Sequence, residues 1–213
     1  MLMHKSIAEK IKNNLQYVGL LLAAVLVGID QLTKWLVVSN MKLQDSIHII
    51  KIGDTEVLNF SYYLNSGAAF SKFEGKTTML VVVTSLVIAA LILLLVLKKI
   101  KRTPYIVAAS LIIGGGIGNL IDRLFNNGLV VDFIDFRIIN FAIFNFADIC
   151  AVCGAALLFI MVVVDEVRDN KKKRLEKAAD NAESGNADEN TAENAENGNA
   201  AENETEKSDD GND

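Results

Sequence analysis

The sequence predicts an all-α polytopic membrane protein: four transmembrane helices with a small extracytoplasmic β-rich segment between helices 1 and 2. Three observations carry this. Hydrophobic residues make up 51% of the 213-residue chain, and they concentrate in runs near the ~20 residues a helix needs to cross a bilayer core. Lys and Arg cluster at the ends of those runs rather than on a separate face. The charge is also divided: residues 175–213 carry 13 Asp and Glu against two Lys, a net −11, so the formal −5 of the whole leaves +6 on residues 1–174. A basic body beside long apolar runs points to a membrane and not to nucleic acid. One Pro and two Cys exclude collagen-like and disulfide-rich chains.

Residues 1–16, with Lys5, Lys10 and Lys12, form a cytoplasmic N-terminal segment. The first span runs from about Tyr17 to Val38 and is interrupted by Asp30, Gln31 and Lys34. A secretory signal peptide competes for these first residues, but no small-x-small cleavage site precedes Asp30 and the apolar pattern resumes beyond Lys34. An outer loop over about residues 39–76 comes next. Within it, Ser46–Tyr63 is rich in Ile, Val, Phe and Tyr around Gly53-Asp54, which predicts a hairpin or small sheet lying on the membrane. Thr77–Leu97 is an unbroken apolar span. Lys98, Lys99, Lys101 and Arg102 then precede Pro104, which a first helical turn tolerates. The third span covers Pro104 to about Ile121 and the fourth about Ala147–Val164.

Basic residues stay on the cytoplasmic side of a membrane. The N-terminal lysines, the 98–102 cluster and Arg168 with Lys171–Arg174 therefore share that side, and both termini are expected to be cytoplasmic. Residues 17–167 make the functional domain. Residues 168–213 are a cytoplasmic basic stretch and an acidic tail whose Ala-Glu-Asn composition lacks the apolar side chains to offset ordering, so disorder is expected.

Ionisable groups inside spans are costly and are functional hypotheses by default. Here they gather at one depth, near the outer face: Asp30, then Asn119, Asp122 and Arg123, then Asp132 and Asp135 in the outer loop, then Asn145 and Asp148, with Asn65 in the first outer loop. Each also has a structural reading. Asp30 and Lys34, four apart, neutralise each other on one helical face, and Asp122 with Arg123 forms a helix-end ion pair. Gly114-Gly115-Gly116-Ile117-Gly118 lacks the strand and Lys-Ser/Thr of a phosphate loop and is expected to allow close helix packing. Cys150 and Cys153 lie one turn apart without a second ligand pair, so packing and not zinc is expected. His4 and His48 are isolated, and no Ser has a His partner for a triad.

Carboxylates remain. Asp132 and Asp148 flank an excursion that leaves the membrane after span 3 and returns at span 4, which allows their side chains to meet. Two close carboxyls cannot both ionise, so one can stay protonated while the other activates a water. The alternative is that both cap helix ends, a role that suits Asp148.

Five stretches resemble the sequence boxes of the lipoprotein signal peptidase family (signal peptidase II): Asp30-Gln31-Leu32-Thr33-Lys34, Asn65-Ser66-Gly67-Ala68-Ala69-Phe70, Gly118-Asn119-Leu120-Ile121-Asp122-Arg123, Val130-Val131-Asp132-Phe133 and Phe144-Asn145-Phe146-Ala147-Asp148. Ala142 stands where that family often has proline, and the acidic tail has no counterpart. The resemblance implies an intramembrane aspartic endopeptidase of the bacterial inner membrane that removes signal peptides from diacylglyceryl-modified prolipoproteins, cutting before the lipidated cysteine. It implies Asp132 and Asp148 as the catalytic pair. Asn65, Gly67, Asn119, Arg123 and Asn145 would orient substrate or hold the pair, and Asp30, Lys34 and Asp122 would brace the site. The implied partners are lipid-modified prolipoproteins and membrane lipid, with no nucleic acid, no metal or other cofactor, and a monomeric state. A small transporter or proton relay and a non-catalytic membrane scaffold are the rival readings; the first predicts polar groups throughout the bilayer depth, and the second tolerates Asp to Asn changes.

Overall fold

A computed structural model describes residues 14–67, 77–139 and 141–205, with side chains described through Lys177. The elements are α1 (Leu15–Asn40), β1 (Ser46–Ile52), β2 (Thr55–Asn65), α2 (Thr77–Val96), α3 (Thr103–Phe125), β3 (Val130–Phe136) and α4 (Phe146–Thr205). Four segments are long and apolar enough to cross a membrane: Leu15–Asn40, Thr77–Val96, Thr103–Phe125 and Phe146–Lys177. These are the four expected spans, each but the second extended at its ends, because helical hydrogen bonding continues into polar flanks that hydropathy excludes. Phe70, Ala68 and Ala69 of the second sequence box, and His4, lie outside the described residues.

Ala23, Ile88, Ile106, Ala109 and Ile113 are buried together where α1, α2 and α3 meet. Most other large apolar side chains on α1 and α2 are exposed, Leu21 at 66% and Leu86 at 65% among them. In lipid that surface carries no penalty, and association instead depends on close packing of small residues. The glycine run of α3 supplies it. A Cβ at Gly115 would collide with the Ala147 carbonyl oxygen and stand 2.8 Å from the Ala151 nitrogen of α4, and one at Gly118 would lie 2.5 Å from Asp30 Oδ2 of α1. Packing is thus the role of the run, as its sequence context predicts.

The hairpin turns at Gly53-Asp54, where Gly53 takes φ +59° between the paired Ile52 and Thr55. A third strand, β3, pairs antiparallel with β2, Phe60 opposite Ile134 and Asn65 opposite Val130, giving the order β1-β2-β3. The sheet is therefore not confined to the segment between helices 1 and 2, and Asp132 and Asp135 sit on a strand where the sequence reading has a loop. Val130–Phe136 lacks clean alternation because both its faces are covered at the Val130 end, so period-2 patterning is weak there. Val131 and Phe133 pack with Val37 of α1, which ties the sheet to the C-terminal end of the first span.

The chain divides into two units, residues 1–161 and 162–213; the first holds α1–α3, the sheet and the start of α4. The second is the remainder of α4, whose helix continues through Thr205 where composition predicts disorder. Ala and Glu, both strong helix formers, make up half of residues 178–205 and no Pro interrupts them, which favours helix over the Asn and Gly between them. Cys150 is buried as expected, whereas Cys153 is exposed and does not pack.

Candidate active site

Five elements deliver polar side chains to one place. The first turn of α4 is closed by a reciprocal capping arrangement: the Asp148 backbone N–H donates to Asn145 Oδ1 at 3.0 Å, and the Asn145 backbone N–H donates to Asp148 Oδ2 at 3.1 Å. Asn145 is thus the N-cap and Asp148 the third helical residue. Asp30 adds a cap from another helix, its Oδ1 accepting the Ala147 N–H at 2.9 Å. The backbone donors of a helix start need such partners inside a membrane.

Asn145 does more than cap. Its Nδ2 donates to Asp132 Oδ1 at 2.6 Å and to Asn119 Oδ1 at 3.0 Å. Asn119 Nδ2 in turn donates to Asp148 Oδ1 at 2.7 Å. On the other side, Asn65 Nδ2 donates to Asp132 Oδ2 at 2.9 Å, while its Oδ1 accepts the Gly67 N–H at 2.8 Å. Both carboxyls therefore receive asparagine N–H groups, and one fully buried asparagine touches both.

The acids read as structural separate from this pair. Lys34 Nζ lies 2.9 Å from Asp30 Oδ2, 3.0 Å from Asp122 Oδ2 and 3.0 Å from Asn119 Oδ1. Asp30 and Lys34 neutralise each other as the spacing predicts. Asp122, however, pairs with Lys34 and accepts the Val131 N–H at 3.0 Å, so the expected Asp122–Arg123 ion pair is not the arrangement found. The two side chains leave the helix in different directions. Arg123 reaches the Gly67 carbonyl at 3.0 Å, and its Nε has no partner among the described residues.

Asp132 and Asp148 line one cavity of about 440 Å³ together with Asn65, Gly67, Asn119 and Arg123. Its remaining wall is apolar, from Phe141 to Phe144 on one side and Ile149 and Val152 of α4 on the other. Asp30, Lys34 and Asp122 stand behind it. Burial, reinforced by the charge of Asp148, pushes the Asp132 carboxyl up to about 7 against the pull of the Asn65 and Asn145 hydrogen bonds. A carboxyl that stays protonated to neutrality beside a second carboxyl is the arrangement acid–base hydrolysis needs.

The family model for signal peptidase (SPase) II matches residues 22–164. The chain belongs to the signal peptidase II family. It is 37% identical over 155 residues to the lipoprotein signal peptidase of Halalkalibacterium halodurans, covering 72% of this chain and 96% of that one. Against that of Bacillus subtilis it is 36% identical over 155 residues, covering 72% and 97%. Two solved structures, each described as a bacterial membrane enzyme determined by the in meso method, are similar to it: one at TM-score 0.64 and 34% identity over 70% of this chain and 89% of the other, one at 0.60 and 35% over 68% and 92%. As a signal peptidase II it is an aspartic peptidase that processes bacterial prolipoprotein signal peptides, and a multi-pass membrane protein.

The described residues given a role in the site fall in this network or against it, whereas Asp135, counted with the clustered polar groups, lies outside it, accepting from Ser61 Oγ at 2.8 Å and pairing with Arg137 at 2.7 Å. Gln31 was not among them, yet its Nε2 lies 3.2 Å from Asp30 Oδ2, 3.1 Å from the Gly118 carbonyl and 3.1 Å from Asp122 Oδ1. Its position inside an apolar span, three residues before Lys34, is the signal that would have found it. Cys153 also faces the cavity; an apolar span hides which of its small residues do so.

Proposed function

We propose that Asp132 and Asp148 are the catalytic dyad of this signal peptidase II and that it cleaves diacylglyceryl-modified prolipoproteins before the lipidated cysteine. The single observation behind this is that one buried asparagine, Asn145, bonds the carboxyl of Asp132 and caps the helix turn that carries Asp148. Two acids so coupled, on one cavity, share a proton that belongs to the pair. The ionised member takes a proton from water as that water attacks the scissile carbonyl, and the protonated member donates to the carbonyl oxygen. The amide nitrogen then leaves with the proton taken from water, while the other carboxylate takes one from a hydroxyl of the tetrahedral diol as its C=O bond re-forms, and the pair returns to one proton shared.

The other residues have roles that follow from their contacts. Asn65, held by Gly67, and Asn119 keep the carboxyls aimed, while Asp30, Lys34 and Asp122 brace α1 against α3 and the start of α4. Arg123 Nε, which has no partner among the described residues, is placed at the cavity to donate to a substrate carbonyl. No metal, nucleotide or covalent intermediate takes part.

A substrate anchored by a signal helix and acyl chains is confined to the bilayer, and the apolar wall of Ile149 and Val152, exposed at 40% and 67%, suits lateral access from lipid. The basic clusters orient the protein in the bacterial inner membrane with both termini cytoplasmic and the dyad near the outer face. It works as a monomer, both acids and the asparagines that hold them coming from one chain. The test is incubation of the purified protein with a lipidated precursor peptide and its unlipidated twin. Only the first is cut, and neither Asp132→Asn nor Asp148→Asn cuts it; normal turnover by either variant removes the assignment.

A further inference from the structure

Three asparagine side chains aim N–H groups at the two acids, and an amide is useful there only one way round. Turned over, it would present a carbonyl oxygen to a carboxylate. Two of the three have that sense fixed by backbone: Asn65 Oδ1 accepts the Gly67 N–H, and Asn145 Oδ1 accepts the Asp148 N–H. Asn119 has no backbone donor among the contacts of its Oδ1. That oxygen takes Lys34 Nζ at 3.0 Å and Asn145 Nδ2 at 3.0 Å, and the Asn145 amino group has Asp132 and the Val131 carbonyl as further acceptors. Lys34 has no such freedom. An ammonium offers three donors and no acceptor, and the three go to Asp30, Asp122 and Asn119.

We propose that Lys34 is a positioning residue whose N–H toward Asn119 fixes the sense of that amide and so keeps an N–H on Asp148. Two carboxylates hold the lysine, and the third contact transmits its position to the reacting group 3.0 and then 2.7 Å away. Bracing alone would need only the first two contacts. The inference rests on the reading of Asp148 as half of the dyad.

The charged and titratable groups around that dyad are Asp30 and Lys34 on α1, Asp122 and Arg123 on α3, and Cys153 on α4. Without Lys34 the Asn119 amide turns, the ionised form of the pair loses a donor, and the acidic limb of the pH–rate profile moves up.

The experiment is a double-mutant cycle of Lys34→Met and Asn119→Leu, read as kcat/KM against pH on a lipidated precursor peptide. Each single variant moves the acidic limb up by about one pH unit, roughly a tenfold loss on the acid side, and the double variant moves it no further than Asn119→Leu alone. Additive shifts overturn the proposal, because Lys34 then acts through its field or by packing. Asn119→Leu leaves the Lys34 ion pairs intact, so if Lys34→Met fails to fold, an unmoved limb in Asn119→Leu overturns the proposal by itself. Retained activity in Asp148→Asn, measured alongside, marks failure of the dyad assignment instead.

Discussion

At the scale of single residues, Asp132 is the most perturbed acid outside the spans. Its carboxyl is 2% exposed and titrates at about 7 against an ordinary 3.8, because burial and the neighbouring Asp148 disfavour its charge. A folded-state pKa above the unfolded one means the folded protein holds this proton more tightly. The stability it contributes is complete below 3.8 and is lost as pH rises through about 7. Two outcomes are expected. The basic limb of kcat/KM has an apparent pKa near 7, and a profile flat to pH 9 would refute the shared proton. The fall in melting temperature between pH 5 and 8 is shallower in Asp132→Asn, whose side chain does not titrate, and an unchanged slope would mean that another group titrates there.

At the scale of elements, the start of α4 joins fold to the proposed chemistry, since the same Asn145–Asp148 pair that caps the helix aims one carboxyl of the proposed dyad. Asn145→Ala removes the cap, at about 1 kcal/mol, and also the N–H to Asp132. Asn145→Ser restores a side-chain acceptor for the Asp148 N–H but no donor to Asp132. The serine variant should therefore recover the melting temperature and not the turnover; recovery of both would leave Asn145 only a capping role. The sequence displays the two capping residues three apart, as it displays four apolar runs, because both are local patterns. What it hides is non-local. β3 finds its partner far along the chain, Asn65 opposite Val130, and no alternation marks it. The choice of Lys34 over Arg123 as partner for Asp122 depends on which face of α3 meets α1, which is set by Gly118 against Asp30. Asp132 and Asp148 are legible as side chains that can meet because both lie next to membrane boundaries, where depth is known without a fold, and it is the resemblance to the signal peptidase II boxes that prefers a catalytic pair to two helix caps.

At the scale of the whole molecule, the residues proposed to carry chemistry lie in the first unit, and the family match ends at residue 164. The chain covers 97% of the Bacillus subtilis enzyme with 72% of its own length, so that relative has no counterpart to most of the C-terminal extension. Among the described residues, the helical continuation of α4 beyond Met161 supplies none of the groups that line the cavity. In the proposed orientation its basic stretch has a separate task, Arg168 and Lys171–Arg174 holding that end of span 4 at the cytoplasmic face by the same rule as the other basic clusters. Truncation after Lys177 keeps the orienting charges and removes most of the acids. It should leave kcat/KM on the lipidated peptide unchanged, and a reporter fused at the new end should remain cytoplasmic. Truncation after Met161 removes the orienting residues too, and insertion is expected to suffer. A large fall in turnover from the shorter deletion, with insertion intact, would show that the acidic extension takes part in catalysis.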